Sequence, residues 1–193
     1  GSEMCIRDRR YIASLFCEWL HFFCKRTILI TDCTRGDEMA LEEQVVDRLI
    51  HLGYTVSFAE SCTGGLCCGT LVNVANASKV LNASFVTYAN AAKIRFLGVE
   101  ADTILNYGVV SEQVAAQMAR GVAKTTESNV GVGITGIAGP GGGTAKKPVG
   151  MVCFGFCVQD QVQTYTCQFG NLGRNRVRES AVEFVFSKLL EIL

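Results

Sequence analysis

Tyr54-Thr55-Val56-Ser57-Phe58 leads directly into Ala59-Glu60-Ser61-Cys62-Thr63-Gly64-Gly65, and the apolar run Leu66 to Val74 follows. The first five residues are rich in β-branched and aromatic side chains, the composition of a strand. The last run reads as a helix. A strand, a turn holding two glycines and a helix make the opening half of a βα unit, the building block of parallel sheets.

Upstream, Leu41, Val45, Leu49 and Leu52 recur at helical spacing, and Gly53 ends the run. Downstream, Ser84 to Tyr88 reads as a second strand and Ala91 to Leu97 as a short helix. Ser111 is placed to N-cap a long helix through Val114, Met118 and Val122. Val130 to Thr135 reads as a third strand. Val149 to Val158 and Val162 to Phe169 read as two adjacent strands joined at Gln159-Asp160, and Arg176 to Ile192 as a final amphipathic helix. Strands alternate with helices and then come together. This order predicts an α/β fold, a three-layer α/β/α domain with a mixed, mostly parallel sheet and one antiparallel strand.

One domain, from about residue 39 to residue 193, accounts for this pattern. Residues 1–37 read differently. Met4-Cys5-Ile6-Arg7-Asp8-Arg9 resembles a translated adapter, and the apolar segment Tyr11 to Cys24 is too short and, with Glu18 and His21, too polar to span a membrane. This atypical segment is set apart as an artefact or a disordered leader.

Composition narrows the chemistry. Lys+Arg and Asp+Glu both total 18, so there is no net positive field of the kind that holds a nucleic-acid backbone. A small anionic molecule, which needs only one or two local cations, remains compatible. The ten cysteines include a vicinal pair, Cys67-Cys68, and two, Cys153 and Cys157, that alternate with apolar residues in a strand. They read as small buried hydrophobes in a reducing, cytoplasmic setting, with no paired C-x-x-C units for a metal. Only His21 and His51 occur, neither beside a candidate nucleophile, so a hydrolase built on this chain needs another base.

Ligands of open α/β sheets bind beyond the carboxyl ends of the strands. Three stretches fall there. In the first, Ser61 stands between a strand and a helix, where helix dipole and free amides stabilise an alkoxide, and where Gly64 and Gly65 allow close approach. The competing reading is that Ser61 or Thr63 merely caps the helix. The second stretch, Tyr88-Ala89-Asn90-Ala91-Ala92-Lys93, offers a lysine that burial would turn into a base, against the ordinary reading of a solvated surface charge. The third, Thr135-Gly136-Ile137-Ala138-Gly139-Pro140-Gly141-Gly142-Gly143, is either an anion-binding nest or a long turn, with Lys146 and Lys147 next to it. It fits neither the P-loop nor the dinucleotide pattern. Arg174-Asn175-Arg176-Val177-Arg178, at the start of the last helix, is either a solvated face or the source of a phosphate-gripping arginine.

Taken together, these stretches resemble the CinA C-terminal domain family, which includes PncC-type nicotinamide-nucleotide amidases. Ala59 to Gly65, Val86-Thr87-Tyr88-Ala89-Asn90-Ala91-Ala92-Lys93, Gly108-Val109-Val110-Ser111-Glu112, Gly133 to Gly143 and Lys147-Pro148-Val149-Gly150 carry the resemblance, from about residue 39 to the end. It implies an amidohydrolase that deamidates nicotinamide mononucleotide to nicotinate mononucleotide and ammonia, without metal or organic cofactor. The alternatives are an amidase on another small amide and a non-catalytic nucleotide-binding or interaction module of the same fold. The implied nucleophile is Ser61 and the implied base Lys93, with Tyr88 passing a proton to the leaving ammonia and Thr135 a polar partner. Thr63, Gly64 and Gly65 would supply the oxyanion amides, and Gly136, Gly139, Gly141, Gly142 and Arg174 would hold the substrate. Where the family usually has Gly-Asp-Arg, this chain has Asn171-Leu172-Gly173-Arg174, without the aspartate. The likeness is also compatible with a homo-oligomer, for which Val182, Val185, Phe186 and Leu189 of the last helix offer an apolar face. These residues pack either on their own sheet or on a partner.

Overall fold

A computed structural model describes residues 39–193; the reading of residues 1–37 lies outside them. Helix α1 (Leu41–Leu52) ends at Gly53, whose φ of 67° is the left-handed turn that glycine adopts at no steric cost. Then come β1 (Val56–Glu60), α2 (Leu66–Val72), a single 3₁₀ turn at Ala77–Lys79 and β2 (Leu81–Val86). They are followed by α3 (Asn90–Leu97), α4 (Ala101–Tyr107) and α5 (Glu112–Thr126), the last capped by the Ser111 side chain, which accepts from the Val114 amide. The chain closes with β3 (Val130–Gly136), β4 (Met151–Val158), β5 (Gln161–Gln168) and α6 (Arg174–Ile192).

The five strands form one sheet in the order β2-β1-β3-β4-β5. β1 pairs in parallel with both β2 and β3, whereas β4 is antiparallel to both its neighbours. Four strands therefore point one way and β4 the other, the arrangement expected from the sequence. Three carboxyl ends, those of β1, β2 and β3, lie side by side at one edge of the sheet.

Each face of the sheet is covered. On one, Phe58 and Val132 pack with α1 (Leu49), α2 (Leu71) and α6 (Val185, Leu189), all buried. The α6 apolar face is thus used on the chain's own sheet. On the other, Ala59 packs with Met118 and Val122 of α5 and Leu97 of α3. α5 sits very close to the sheet because Gly133 and Gly155, which are paired across β3 and β4, lack side chains. A Cβ on either would fall 2.4 or 2.3 Å from the Ala115 carbonyl oxygen.

Several boundaries differ from the sequence reading. Helix α4 was not anticipated, since only Thr103 of its seven residues is buried and no apolar period marks it. β2 stops at Val86, two residues short of Tyr88, although the Thr87 amide still donates to the Glu60 carbonyl (2.8 Å). α6 begins at Arg174, not Arg176.

Candidate active site

Glu60 ends β1 and is fully buried. Its carboxylate accepts from the amides of Gly65 (2.8 Å), Cys67 (3.2 Å) and Cys68 (3.0 Å), the unpaired donors at the start of α2. The helix is therefore capped by a carboxylate reaching over the turn from the strand. Neither Ser61 nor Thr63 caps it, and the N-cap position is Gly65 with no side-chain cap of its own.

The Ser61 hydroxyl is left free for another partner. The Ser61 amide donates to Ile134 O (3.0 Å), which fixes the residue between the ends of β1 and β3. Its Oγ lies 3.1 Å from Lys93 Nζ. Lys93, on α3, is fully buried, against the general rule for lysines. Its Nζ also reaches the carbonyl oxygens of Thr87 (2.7 Å) and Tyr88 (3.3 Å). Burial holds its pKa below the usual lysine value.

Cys62 is buried beside them. Burial pushes its thiol up to about 12, which leaves it protonated at neutral pH and unsuited to be the nucleophile. The six cysteines among the described residues are all free.

The turn's amides are divided up. Gly64 N–H donates to Ser61 O (3.1 Å), and Gly65 N–H is held by Glu60. The two glycine amides expected to serve an oxyanion are thus already engaged within the turn. The amides of Cys62 and Thr63 have no acceptor among the described residues, and the Thr63 hydroxyl is buried without a partner. Tyr88 is also placed differently from the expectation. It meets Lys93 through its backbone carbonyl, while its exposed phenol accepts from Arg174 Nη2 (2.9 Å).

A cleft of about 450 Å³ is lined by Gly136, Gly139, Gly141 and Gly142 together with Lys147 and Arg174. Lys147 Nζ donates to Val110 O (2.6 Å) and to Tyr107 O, and Arg174 Nη1 donates to Gly139 O (2.9 Å). Arg174 therefore ties the glycine-rich loop to the Tyr88 side chain. Thr135 does not line the cleft; its buried hydroxyl donates to Val109 O (2.9 Å) and braces the wall. Ser61, Lys93, Tyr88 and Arg174 are thus brought into one chain of contacts, whereas Thr135, Gly64 and Gly65 serve the scaffold.

Two functional contributions were missed in the sequence. Glu60 has no role in the sequence reading, although a carboxylate closing a mostly apolar strand is itself a signal. Arg178 stands in the candidate arginine run without a role of its own, yet it lies four residues beyond Arg174, along the same helix face. Its Nε donates to Cys62 O (3.1 Å) and its Nη2 to Thr63 O (2.8 Å). His51 stays on α1, its ring bound to Asp47 O, and no helix among the described residues is long and apolar enough to cross a membrane.

The sequence model of the CinA C-terminal domain matches residues 38–193. A protein named putative competence-damage inducible protein, from Caldicellulosiruptor saccharolyticus, is 46% identical over 145 residues, 75% of this chain and 35% of its own length. A CinA-like protein of Kosmotoga olearia is 45% identical over 159 residues, 81% of this chain and 39% of its own. The chain thus spans little more than a third of these curated relatives. Among solved structures, the competence/damage inducible protein CihA of Agrobacterium tumefaciens is 40% identical with a TM-score of 0.74, covering 81% of this chain and 98% of that one. A CinA superfamily protein of Escherichia coli is 33% identical with a TM-score of 0.76, covering 81% and 95%.

Proposed function

This chain belongs to the CinA C-terminal domain family, and from that premise we propose that it is a serine amidohydrolase that deamidates nicotinamide mononucleotide, with Ser61 as nucleophile and Lys93 as base. The observation that carries this reading is the surrounding of Lys93 Nζ. Two of its three polar neighbours are carbonyl oxygens, which can only accept. A neutral amine has two N–H bonds and one lone pair. With the N–H bonds committed to Thr87 O and Tyr88 O, the lone pair is left facing the Ser61 hydroxyl. Burial favours that neutral form.

The steps follow from this geometry. Ser61 Oγ attacks the amide carbon as its proton passes to Lys93 Nζ. The oxyanion is received by the free amides of the Cys62-Thr63 turn. As the tetrahedral centre collapses, the Lys93 ammonium returns the proton to the departing nitrogen and ammonia leaves. Lys93, neutral again, takes a proton from water, which attacks the acyl-serine and releases the carboxylic acid. The proton goes back to Ser61 Oγ. The Tyr88 phenol, turned to Arg174, has no part in this relay.

The substrate class rests on the cleft. Lys147, Arg174 and the amides of the glycine-rich loop suit a phosphate, with Arg174 having three further N–H donors beyond the two in use. The test is ammonia release across a panel: nicotinamide mononucleotide, its dephosphorylated nucleoside, free nicotinamide and unrelated small amides. The reading expects preference for the phosphorylated amide. Preference for an unphosphorylated amide would overturn the substrate, and no release from any would overturn the activity.

A further inference from the structure

Arg178 is a half-buried guanidinium whose hydrogen bonds all go to the turn that carries the serine. Nε reaches Cys62 O at 3.1 Å and Nη2 reaches Thr63 O at 2.8 Å, from a helix more than a hundred residues away in sequence. The ion pairs among the described residues are Arg176 with Glu179 and Lys188 with Glu191, so Arg178 has no carboxylate partner there. Its partners are thus two carbonyls of one turn and no anion.

Peptide planarity gives the grip a consequence. Cys62 C=O and Thr63 N–H belong to one planar trans unit and point in opposite directions. Fixing the carbonyl towards Arg178 fixes the Thr63 N–H away from it. In the next peptide the same holds for Thr63 C=O and Gly64 N–H, and there the N–H is consumed by Ser61 O at 3.1 Å. Of these two amides, only the Thr63 N–H is left without an acceptor among the described residues, as is the Cys62 N–H before it. Positive charge on the carbonyl side also polarises the unit and makes that N–H a stronger donor.

We infer that Arg178 is the positioning residue of the oxyanion hole, holding the Cys62-Thr63 peptide so that the Thr63 amide faces the reacting carbonyl. This rests on the Ser61/Lys93 reading. Arg178 touches no reacting atom. It acts through the peptide it grips, as Glu60 acts on the same turn from the far side by holding Gly65, Cys67 and Cys68.

The experiment uses the full chain and two probes. Steady-state amide hydrolysis is measured for wild type, Arg178→Ala and Arg178→Lys, with and without added guanidinium. Labelling of Ser61 by a small phosphonofluoridate, whose phosphoryl oxygen needs the same hole, is timed in parallel. Loss of a hole's support lowers kcat about a hundredfold. The expected result is that loss in Arg178→Ala, with little change in KM, equally slowed labelling, an unmoved acid limb of the pH profile, and partial rescue by guanidinium. A merely structural role would not give rescue together with an unmoved acid limb. Wild-type labelling and turnover with no slowing in Arg178→Ala would overturn the role of Arg178 alone. Failure of wild type to label or turn over would overturn the Ser61/Lys93 reading and this inference with it. If Arg178→Ala does not fold, Arg178→Lys decides: at least a tenfold loss of kcat with the acid limb in place supports the role, and full activity overturns it.

Discussion

Ser61, just beyond the end of β1, and Lys93, on α3, are 32 residues apart in sequence and 3.1 Å apart in space, one side chain supplying a hydroxyl and the other a fully buried amine. No histidine takes part in this contact, and its chemistry depends on the amine being neutral.

That dependence sets a pH prediction. Lys93 has a pKa held below its ordinary value of 10.5 by burial. The value of kcat/KM should rise with pH to a plateau, with unit slope and a midpoint below 10.5, since the acid limb reports the base of the free enzyme. Stability carries the same sign. Between the lowered native value and 10.5 the unfolded chain binds the proton and the native one does not, so stability rises with pH across that window. Urea midpoints over a pH series measure this slope, and Lys93→Met should abolish it. A folded, fully active Lys93→Arg enzyme would contradict the role, because arginine does not give up its proton.

Glu60 should prove to be a support of the turn. Glu60→Ala strips the acceptor from three amides, and leaving buried donors unpaired costs about 1–3 kcal/mol. Denaturant melts should show that loss, with a fall in kcat because Ser61 is the next residue. Wild-type stability and rate in Glu60→Ala would refute the capping role.

Cys62 should be dispensable. With its thiol pushed up to about 12 and its side chain buried, it presents almost no thiolate to an alkylating reagent. Iodoacetamide should leave activity in place at neutral pH, and Cys62→Ala should stay within a few-fold of wild type in kcat/KM. Rapid inactivation with modification mapped to Cys62 would count against this account.

Arg174 should act on recognition. Charge-assisted hydrogen bonds contribute about 1.5–3 kcal/mol, so Arg174→Ala should raise KM for a phosphorylated substrate about ten- to hundredfold. The dephosphorylated nucleoside should be affected much less. An equal loss on both substrates would place Arg174 with the scaffold, as its bonds to Gly139 O and Tyr88 Oη would then be its main purpose.

Much of this was legible in the sequence. The strand before Ser61 and the helix after it announce themselves by composition and length, and Ser111 and Gly53 mark helix ends with the chemistry such ends require. The single reversed strand, β4, was readable because two strands follow each other with only Gln159-Asp160 between them. Other features had no local signature. Helix α4 buries only Thr103 and so shows no apolar period. Tyr88 was expected to act through its phenol, but the early end of β2 presents its carbonyl to Lys93. The grip of Arg178 on Cys62 and Thr63 spans more than a hundred residues and exists only once α6 has packed on the sheet. Gly65 looked free because its amide is taken by a carboxylate five residues back, around a turn whose shape the sequence does not display.

The most direct measurement of the central claim is ammonia release by purified, folded Ser61→Ala from the best amide found for wild type. The Ser/Lys account predicts a rate at least about a thousandfold lower, the scale on which loss of a serine nucleophile acts, with circular dichroism and melting behaviour unchanged. Release at the wild-type rate would contradict it.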